Sequence, residues 1–522
     1  MAATTQGDSA GVGEAVALID EAATGAFAQQ LANFVRPGDF IALSGDLGAG
    51  KTAFVRAALR ALAGDPELEA PSPTFTLIQV YDGPGFPVVH ADFYRLRGDD
   101  ELAQIGWDEA TDGAVTFVEW PERAASALPA DRLEIALHFD PAYGPEFRRA
   151  EVRAFGALGA RWRRARATER LLRAADWAEA ERVPLAGDAS VRAYERLTRP
   201  DGAGAILMIS PPRPDGPILR YGKPYAAIAK LSPDIRAFLA LAEGLRSQGY
   251  STPLIYAHDV AAGLALIEDF GAETIADARG PDPERYAEAT ALLADLHART
   301  LPGALPVDDE SYALPTYDID AMLIEVELAL DWYAPTRARV TPASGARQQF
   351  LGLWRDALTP ILAQPTSWTL RDYHSPNLHW LPGREGLRRL GLIDFQDAVI
   401  GPPAYDVASL LQDARVDVPD ELELRLLALY ARLRAARDPG FDAAAFAGTY
   451  AAMAAQRATK LLGIFVRLDR RDGKPQYLPL LPLIERRLAR NLAHPLLRPL
   501  RDWFAAHLPR ALGEDGSMSP EA

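Results

Sequence analysis

Gly45-Asp46-Leu47-Gly48-Ala49-Gly50-Lys51-Thr52 fits the pattern G-x-x-x-x-G-K-[ST] in full. An apolar stretch, Asp39 to Ser44, precedes it, and an Ala, Leu and Arg-rich stretch, Gly50 to Leu62, follows. Strand, glycine loop and helix in that order make a phosphate cradle. Gly45, Gly48 and Gly50 let backbone N–H groups turn toward phosphate oxygens, Lys51 adds a point charge, and Thr52 offers a hydroxyl to Mg²⁺. Working outward, Glu21 to Val35 reads as an amphipathic helix. Val88 to Phe93, Val115 to Glu119 and Leu133 to Phe139 read as buried strands. This alternation predicts an α/β sheet covered by helices over 15–155.

A second set of chemical residues stands far downstream. Arg371-Asp372-Tyr373-His374-Ser375-Pro376-Asn377 is followed by the apolar Leu390 to Ile393 and then Asp394-Phe395. Phosphoryl transfer to a hydroxyl needs a carboxylate near the acceptor and oxygen ligands for the metal. The D-x-x-x-x-N spacing aims Asp372 and Asn377 at one phosphate, and Asp394 supplies the anionic ligand. Upstream, Ala205 to Ile209, Pro253 to Ala257 and Leu264 to Glu268 read as strands, Pro233 to Gln248 as a helix, and Gly187-Asp188-Ala189-Ser190 as a turn between strands. After Pro283 the pattern is mostly helical. A small mixed lobe before a larger helical lobe is a kinase-like order, expected over 169–510.

At 522 residues the chain exceeds one ordinary core, so two domains are expected. A net charge of −16 excludes a generic nucleic-acid binder. The absence of cysteine excludes disulfides, thiolate metal sites and cysteine nucleophiles, and fits a reducing cytoplasm. No leader-like N-terminus or membrane-length apolar run is read. Residues 1–14 and 511–522 are expected to be flexible ends. The run Arg161-Trp162-Arg163-Arg164-Ala165-Arg166 is expected in a basic linker over 156–168, followed by a helix ending near Glu181. It reads as a solvated connector, with a strip touching an acidic partner such as tRNA as the alternative.

The N-terminal set of motifs resembles the TsaE family of P-loop ATPases, which serve formation of threonylcarbamoyladenosine in tRNA. The residues carrying the likeness are Gly45–Thr52, Ser72-Pro73-Thr74-Phe75, His90-Ala91-Asp92-Phe93-Tyr94-Arg95 and Glu119-Trp120. The resemblance implies ATP and Mg²⁺, with Lys51, Thr52, Asp92 and Glu119 in the active site. It implies that Ser72, Thr74 and Trp120 line or gate the site. It also implies docking to a TsaB–TsaD pair and contact with tRNA only through that complex.

The downstream half resembles the aminoglycoside phosphotransferase family. Within it the likeness is to anomeric kinases of N-acetylmuramate and N-acetylglucosamine in cell-wall recycling (AmgK). Gly187–Tyr194, Leu266–Gly271, Arg371–Leu378, Ile393–Ala398, Gly463-Ile464-Phe465 and Arg470–Gly473 carry it. The resemblance implies that Asp372 activates the sugar hydroxyl, that Asn377 and Asp394 bind Mg²⁺, and that Glu268 belongs to the hinge over adenine. Asp406 is expected to brace the catalytic loop, and His374 and His379 to pack it. The sequence departs from the kinase pattern in two places. Leu370 stands where a His often stands, and Ala205 to Ile209 lacks the phosphate-pairing lysine, for which Lys223, Lys230 and Arg192 are candidates. Other alcohols, such as an aminoglycoside or choline, and a degenerate kinase acting as a binding module, are the alternative readings.

Overall fold

Phe40-Ile41-Ala42-Leu43 is apolar at every position because the strand it forms is covered on both faces. Ile41 and Leu43 enter one core with Phe54, Val55, Phe117 and Ile135, whereas Phe40 and Ala42 enter a second with Val89, Phe93, Trp107 and Val118. Successive side chains point to opposite faces of a strand, so a continuous apolar run marks a doubly covered sheet. The computed structural model describes residues 13–185, 192–213 and 216–513 and divides into two units after Ala174.

The first unit runs β1 (Gly13–Leu18), α1 (Glu21–Phe34), β2 (Phe40–Ser44), α2 (Lys51–Ala63), β3 (Ile78–Asp82), β4 (Pro87–Asp92), α3 (Trp107–Thr111), β5 (Val115–Glu119), β6 (Arg132–Phe139), β7 (Arg148–Phe155) and α4 (Gly156–Ala174). The sheet order is β1-β7-β6-β2-β5-β4-β3. Strands β6, β2, β5 and β4 are parallel, and β1, β7 and β3 extend the edges antiparallel. The expected closing strand is β6, but β7 and β1 continue the sheet beyond it. Two residues of the expected flexible N-terminus, Gly13 and Glu14, pair with Arg153 and Val152 in that extension. Residues 1–12 lie outside the described residues.

The expected linker at 156–168 is instead the body of α4, an integral part of the first unit. Trp162 is buried there, edge-on to Phe34 at 5.0 Å and to Phe27 at 6.2 Å. Arg161 pairs with Asp39, and Arg166 grips Glu14 with bonds of 2.9–3.2 Å. Two cations of the basic run are thus spent inside the unit. The helix ends at Ala174, and Glu181–Leu185 is a strand rather than the helix end expected there.

The second unit begins with a five-stranded antiparallel sheet built from β8 (Glu181–Leu185), β9 (Ala193–Thr198), β10 (Gly204–Ile209), β13 (Ile255–Asp259) and β14 (Leu264–Glu268), in the order β13-β14-β10-β9-β8; the intervening β11 (Ile218–Arg220) and β12 (Lys223–Pro224) form a separate hairpin. The turn expected at residues 187–190 lies outside the described residues. Helices α5 (Tyr225–Ile228) and α6 (Arg236–Ser247) complete this lobe. The helical lobe holds α7 (Pro283–Leu296), α8 (Ile319–Leu328), α9 (Ser344–Leu362), α10 (Ala404–Leu411), α11 (Asp420–Arg437), α12 (Ala443–Asp472), α13 (Leu481–Leu492) and α14 (Arg498–His507). In the expected flexible tail, Pro509–Leu512 forms a 3₁₀ turn with Ala511 buried, and residues 514–522 lie outside the described residues.

Helix α12 is the axis of this lobe. At Gly463 it meets the backbone of α8, where an added Cβ would stand 2.2 Å from the carbonyl carbon of Leu328. Gly463→Ala is expected to lower unfolding stability by ~1–3 kcal/mol, the usual scale of overpacking. Gly345→Ala, with nothing within 4 Å of its Cβ, is expected to cost little or nothing. Urea titration of the two variants followed by circular dichroism checks this; equal midpoints would count against a backbone contact at Gly463.

Candidate functional sites

In a parallel sheet, ligands gather at the carboxyl ends of the strands. The loop after β2 lies there, and so do Asp92 at the end of β4 and Glu119 at the end of β5, paired across the register with each other and, for Glu119, with Leu43. Gly45 (φ +132°), Gly48 (φ +80°) and Gly50 (φ +102°) all use left-handed backbone. Lys51 is buried, and its Nζ donates to Gly45 O at 2.7 Å and Asp46 O at 3.0 Å. The ring of Trp120 lies 3.7 Å from the same Nζ. Burial holds the ammonium below its usual pKa, opposed by the carboxylates of Glu119, Glu122, Asp92 and Asp46.

Thr52 Oγ1 donates to Glu119 Oε2 at 2.9 Å. The other oxygen, Oε1, lies 2.9 Å from His90 Nε2, so Nε2 carries the proton. His90 is fully buried, and its role was not assigned from sequence, although it stands in the quoted His90–Arg95 run. Its position on an apolar strand two residues before Asp92 was the available signal. Asp92 Oδ2 accepts from Ser72 Oγ at 2.5 Å and Thr74 Oγ1 at 2.7 Å, and Oδ1 accepts from Tyr94 N at 2.9 Å. The Ser72–Thr74 loop is thereby fastened to the strand end. All of the sequence-predicted residues of this site therefore converge.

The second site is built on two short antiparallel pairs, Leu378–Trp380 with Leu390–Leu392 and Ser367–Thr369 with Val399–Gly401. The loop between their first strands carries Asp372 and Asn377. Asp406, fully buried at the start of α10, accepts from Leu370 N at 2.6 Å and Arg371 N at 2.8 Å, which braces the loop as expected. Arg371 has φ +68° and Asp394 φ +57°, a conformation that costs non-glycine residues ~1–3 kcal/mol. Such strain persists only where neighbours over-determine it. The Arg371 guanidinium is held by the buried Glu325, which also takes Lys460 Nζ at 2.8 Å and Gln456 Nε2 at 3.1 Å.

Asn377 donates through Nδ2 to Asp372 O at 2.9 Å, which leaves its amide oxygen for a cation, and lies 3.4 Å from Asp394 Oδ2. Burial and the Asp372 charge push Asp394 up to about 6, against the pull of Arg192. Arg192 Nη2 and Gln396 Nε2 each donate to Asp394 Oδ1 at 2.8 Å. Of the three candidate cations, Arg192 reaches the site. Lys230 pairs with Asp318 at 2.7 Å, and Lys223 lies exposed on β12. His374 is buried beside Arg415 and Arg457 and driven down to about 3 by desolvation, which favours its neutral form. His379 is also held low by burial and lies beside Phe270. Glu268 ends β14; its carboxylate is engaged by Arg384 and Leu254 N, and its backbone N–H donates to Leu254 O at 2.8 Å.

Among the described residues no group of three or more His, Cys, Asp or Glu side chains is arranged to hold a metal alone. Each site instead offers hard oxygens in small number: Thr52 with Glu119 and Asp92, and Asn377 with Asp394. That set fits a Mg²⁺ that keeps waters and substrate phosphates in its shell.

Comparison with known proteins agrees with this division. The family model "Threonylcarbamoyl adenosine biosynthesis protein TsaE" matches residues 18–145, and "Phosphotransferase enzyme family" matches 181–446, about half of the chain. An N-acetylmuramate/N-acetylglucosamine kinase of Caulobacter vibrioides is 36% identical over 350 residues, 65% of this chain and 95% of that one. Its counterpart in Pseudomonas putida is 31% identical over 306 residues, 58% of this chain and 81% of that one. A tRNA threonylcarbamoyladenosine biosynthesis protein TsaE of Rickettsia bellii is 38% identical over 120 residues, 23% of this chain and 83% of that one. The chain is an ATP-using enzyme twice over, belonging to the TsaE family of P-loop ATPases through its first unit and to the phosphotransferase family of kinases through its second.

Proposed function

We propose that the first unit hydrolyses ATP in support of threonylcarbamoyladenosine formation on tRNA, and that the second phosphorylates the anomeric hydroxyl of N-acetylmuramate or N-acetylglucosamine. The observation that carries the kinase reading is the meeting of Asp372, Asn377 and Asp394 around one loop. The similarity to the Caulobacter kinase, over 95% of its length, supports the choice of acceptor.

In the kinase, Asp372 takes the proton of the sugar hydroxyl as its oxygen bonds to the γ-phosphorus and ADP leaves with the broken P–O electron pair. The Asp372 side chain is 40% exposed, open to an acceptor. Asp394 and Asn377 would hold Mg²⁺, which would neutralise phosphate charge. Arg192 supplies the cationic charge that the lysine-free strand β10 does not. In the ATPase, Lys51 and the loop N–H groups bind the phosphates. Thr52, Asp92 and Glu119 would hold Mg²⁺ and its waters, which would neutralise phosphate charge, and Glu119, oriented by His90, polarises the attacking water. Trp120 packs against Lys51 beneath the phosphates.

Partners of the TsaB and TsaD type are proposed for the first unit, with tRNA reached through them. Leu47, 80% exposed, and Phe75, 82% exposed, stand on the two loops beside the nucleotide site and offer apolar surface to such a partner. Among the described residues no helix is long and apolar enough to cross a membrane, and we place the protein in the cytoplasm as part of the same reading.

Lys51→Ala is expected to abolish ATP hydrolysis by the first unit while leaving sugar phosphorylation intact, read by phosphate release and sugar-phosphate assays on one preparation. Loss of both activities would contradict two independent sites. Asp372→Asn is expected to lower kinase kcat by ~10²-fold or more, the scale of a lost general base. Product formation is followed with amino sugars, an aminoglycoside and choline in parallel. A product from choline or the aminoglycoside alone reassigns the acceptor, and none from any of them favours a binding module. Arg192→Gln is expected to raise the KM for ATP at least ~10-fold, as removal of a charged phosphate contact does. An unchanged KM removes Arg192 from the phosphate clamp.

A further inference from the structure

Gln396 stands two residues past Asp394, is 2% exposed, and has no part in the phosphoryl-transfer steps above. Its place is fixed from both sides. Phe395 is buried and stacks on Phe238 at 5.3 Å, and Asp397 accepts from Ser232 N at 2.7 Å. Between these anchors the Gln396 amide reaches back, and its Nε2 donates to Asp394 Oδ1 at 2.8 Å. Its Oε1 is buried and has no hydrogen-bond partner among the described residues. A reversed amide would set that oxygen against the Asp394 carboxylate, so charge decides the orientation.

A buried acceptor without a donor is destabilising. Met or Leu would occupy similar volume with nothing unmet, so packing does not account for a glutamine here. What the amide supplies is direction. An aspartate carboxylate turns about χ2 with a broad, two-fold preference, which leaves its oxygens interchangeable unless a partner distinguishes them. Gln396 Nε2 and Arg192 Nη2 both donate to Oδ1, at 2.8 Å each. Oδ2 lies on the Asn377 side, 3.4 Å from Nδ2. The two oxygens are thereby divided, one taken by donors and one beside the second oxygen ligand. Arg192 is assigned to phosphate, so Gln396 is the neutral donor that keeps Oδ1 when the guanidinium engages ATP.

We propose that Gln396 is a positioning residue for the kinase metal: by holding Asp394 Oδ1 it reserves Oδ2, beside Asn377, for a divalent cation. The inference rests on the kinase reading above and deepens it. It concerns the metal and not the sugar, so it applies to any alcohol acceptor.

The test uses the full-length protein with ADP and Mn²⁺, a paramagnetic probe of a Mg²⁺ site. Bound Mn²⁺ is measured by electron paramagnetic resonance, and the component missing from Asp394→Asn is assigned to the kinase. Gln396→Met is expected to weaken that component ~10-fold or more, the worth of one hydrogen bond to a charged group. In steady-state assays the Mg²⁺ concentration for half-maximal phosphorylation is expected to rise by a similar factor, with a smaller fall in kcat at saturating Mg²⁺. The unfolding midpoint is expected to hold level, since an unmet buried acceptor leaves along with the donor. A packing role predicts the reverse, a lower midpoint with metal binding unchanged. Gln396→Leu gives the same readings should the Met variant fold poorly. Unchanged Mn²⁺ binding in both variants overturns the positioning role and leaves the kinase reading standing. If Asp394→Asn loses no Mn²⁺ component, the metal assignment itself fails, and the positioning role with it.

Discussion

Glu325 carries its charge at zero exposure, and the catalytic half is organised around that constraint. Arg371 comes from the catalytic loop, Lys460 and Gln456 from α12, and Tyr317 from the segment before α8, and all bond the one carboxylate. The surrounding cations hold its pKa below the usual value despite burial. Removing one partner from such a set strands a charge and costs ~3–5 kcal/mol. The arrangement accounts for the left-handed backbone at Arg371. Asp406 fixes the N–H groups of the loop, Glu325 fixes its guanidinium, and Asp372 is left between two anchored ends.

The two sites solve the same electrostatic problem differently. The ATPase presents backbone dipoles, one lysine and acids at the ends of parallel strands, so its geometry is set by sheet register. The kinase presents acids on short strands and a loop, so its geometry is set by side-chain bonds to distant helices. Charge in the first site comes close together because β2, β4 and β5 are neighbours. In the second it comes together because α8, α10 and α12 converge under the loop.

That difference explains what could be read from the sequence. The ATPase residues fall at the ends of apolar runs, where strand order alone brings them together, and they converge. The catalytic loop was equally legible from its spacing. What escaped were pairs joined across long separations: His90 with Glu119, Glu325 with Arg371 and Lys460, Arg192 with Asp394. Nothing in a local window marks Glu325 as different from another helix acid. The run at Arg161 was misread for a related reason. Its charges suggested a solvated connector, but Trp162 within the run is a core residue and Asp39 and Glu14 pair with the arginines. Strands β1 and β7 were missed because their buried positions alternate with less buried ones, so neither forms a continuous apolar run.

Gly45 has a consequence of a different kind. A Cβ there would sit 2.3 Å from the carbonyl oxygen of Leu137 on β6, with no ligand involved. The neighbouring strand, as well as the phosphate, forbids a side chain at this position. A descendant of this protein that lost ATP hydrolysis would still be held to glycine there by the sheet. Persistence of Gly45 in a lineage is therefore testimony about architecture, and the survival of the chemistry has to be judged from Lys51 and Glu119.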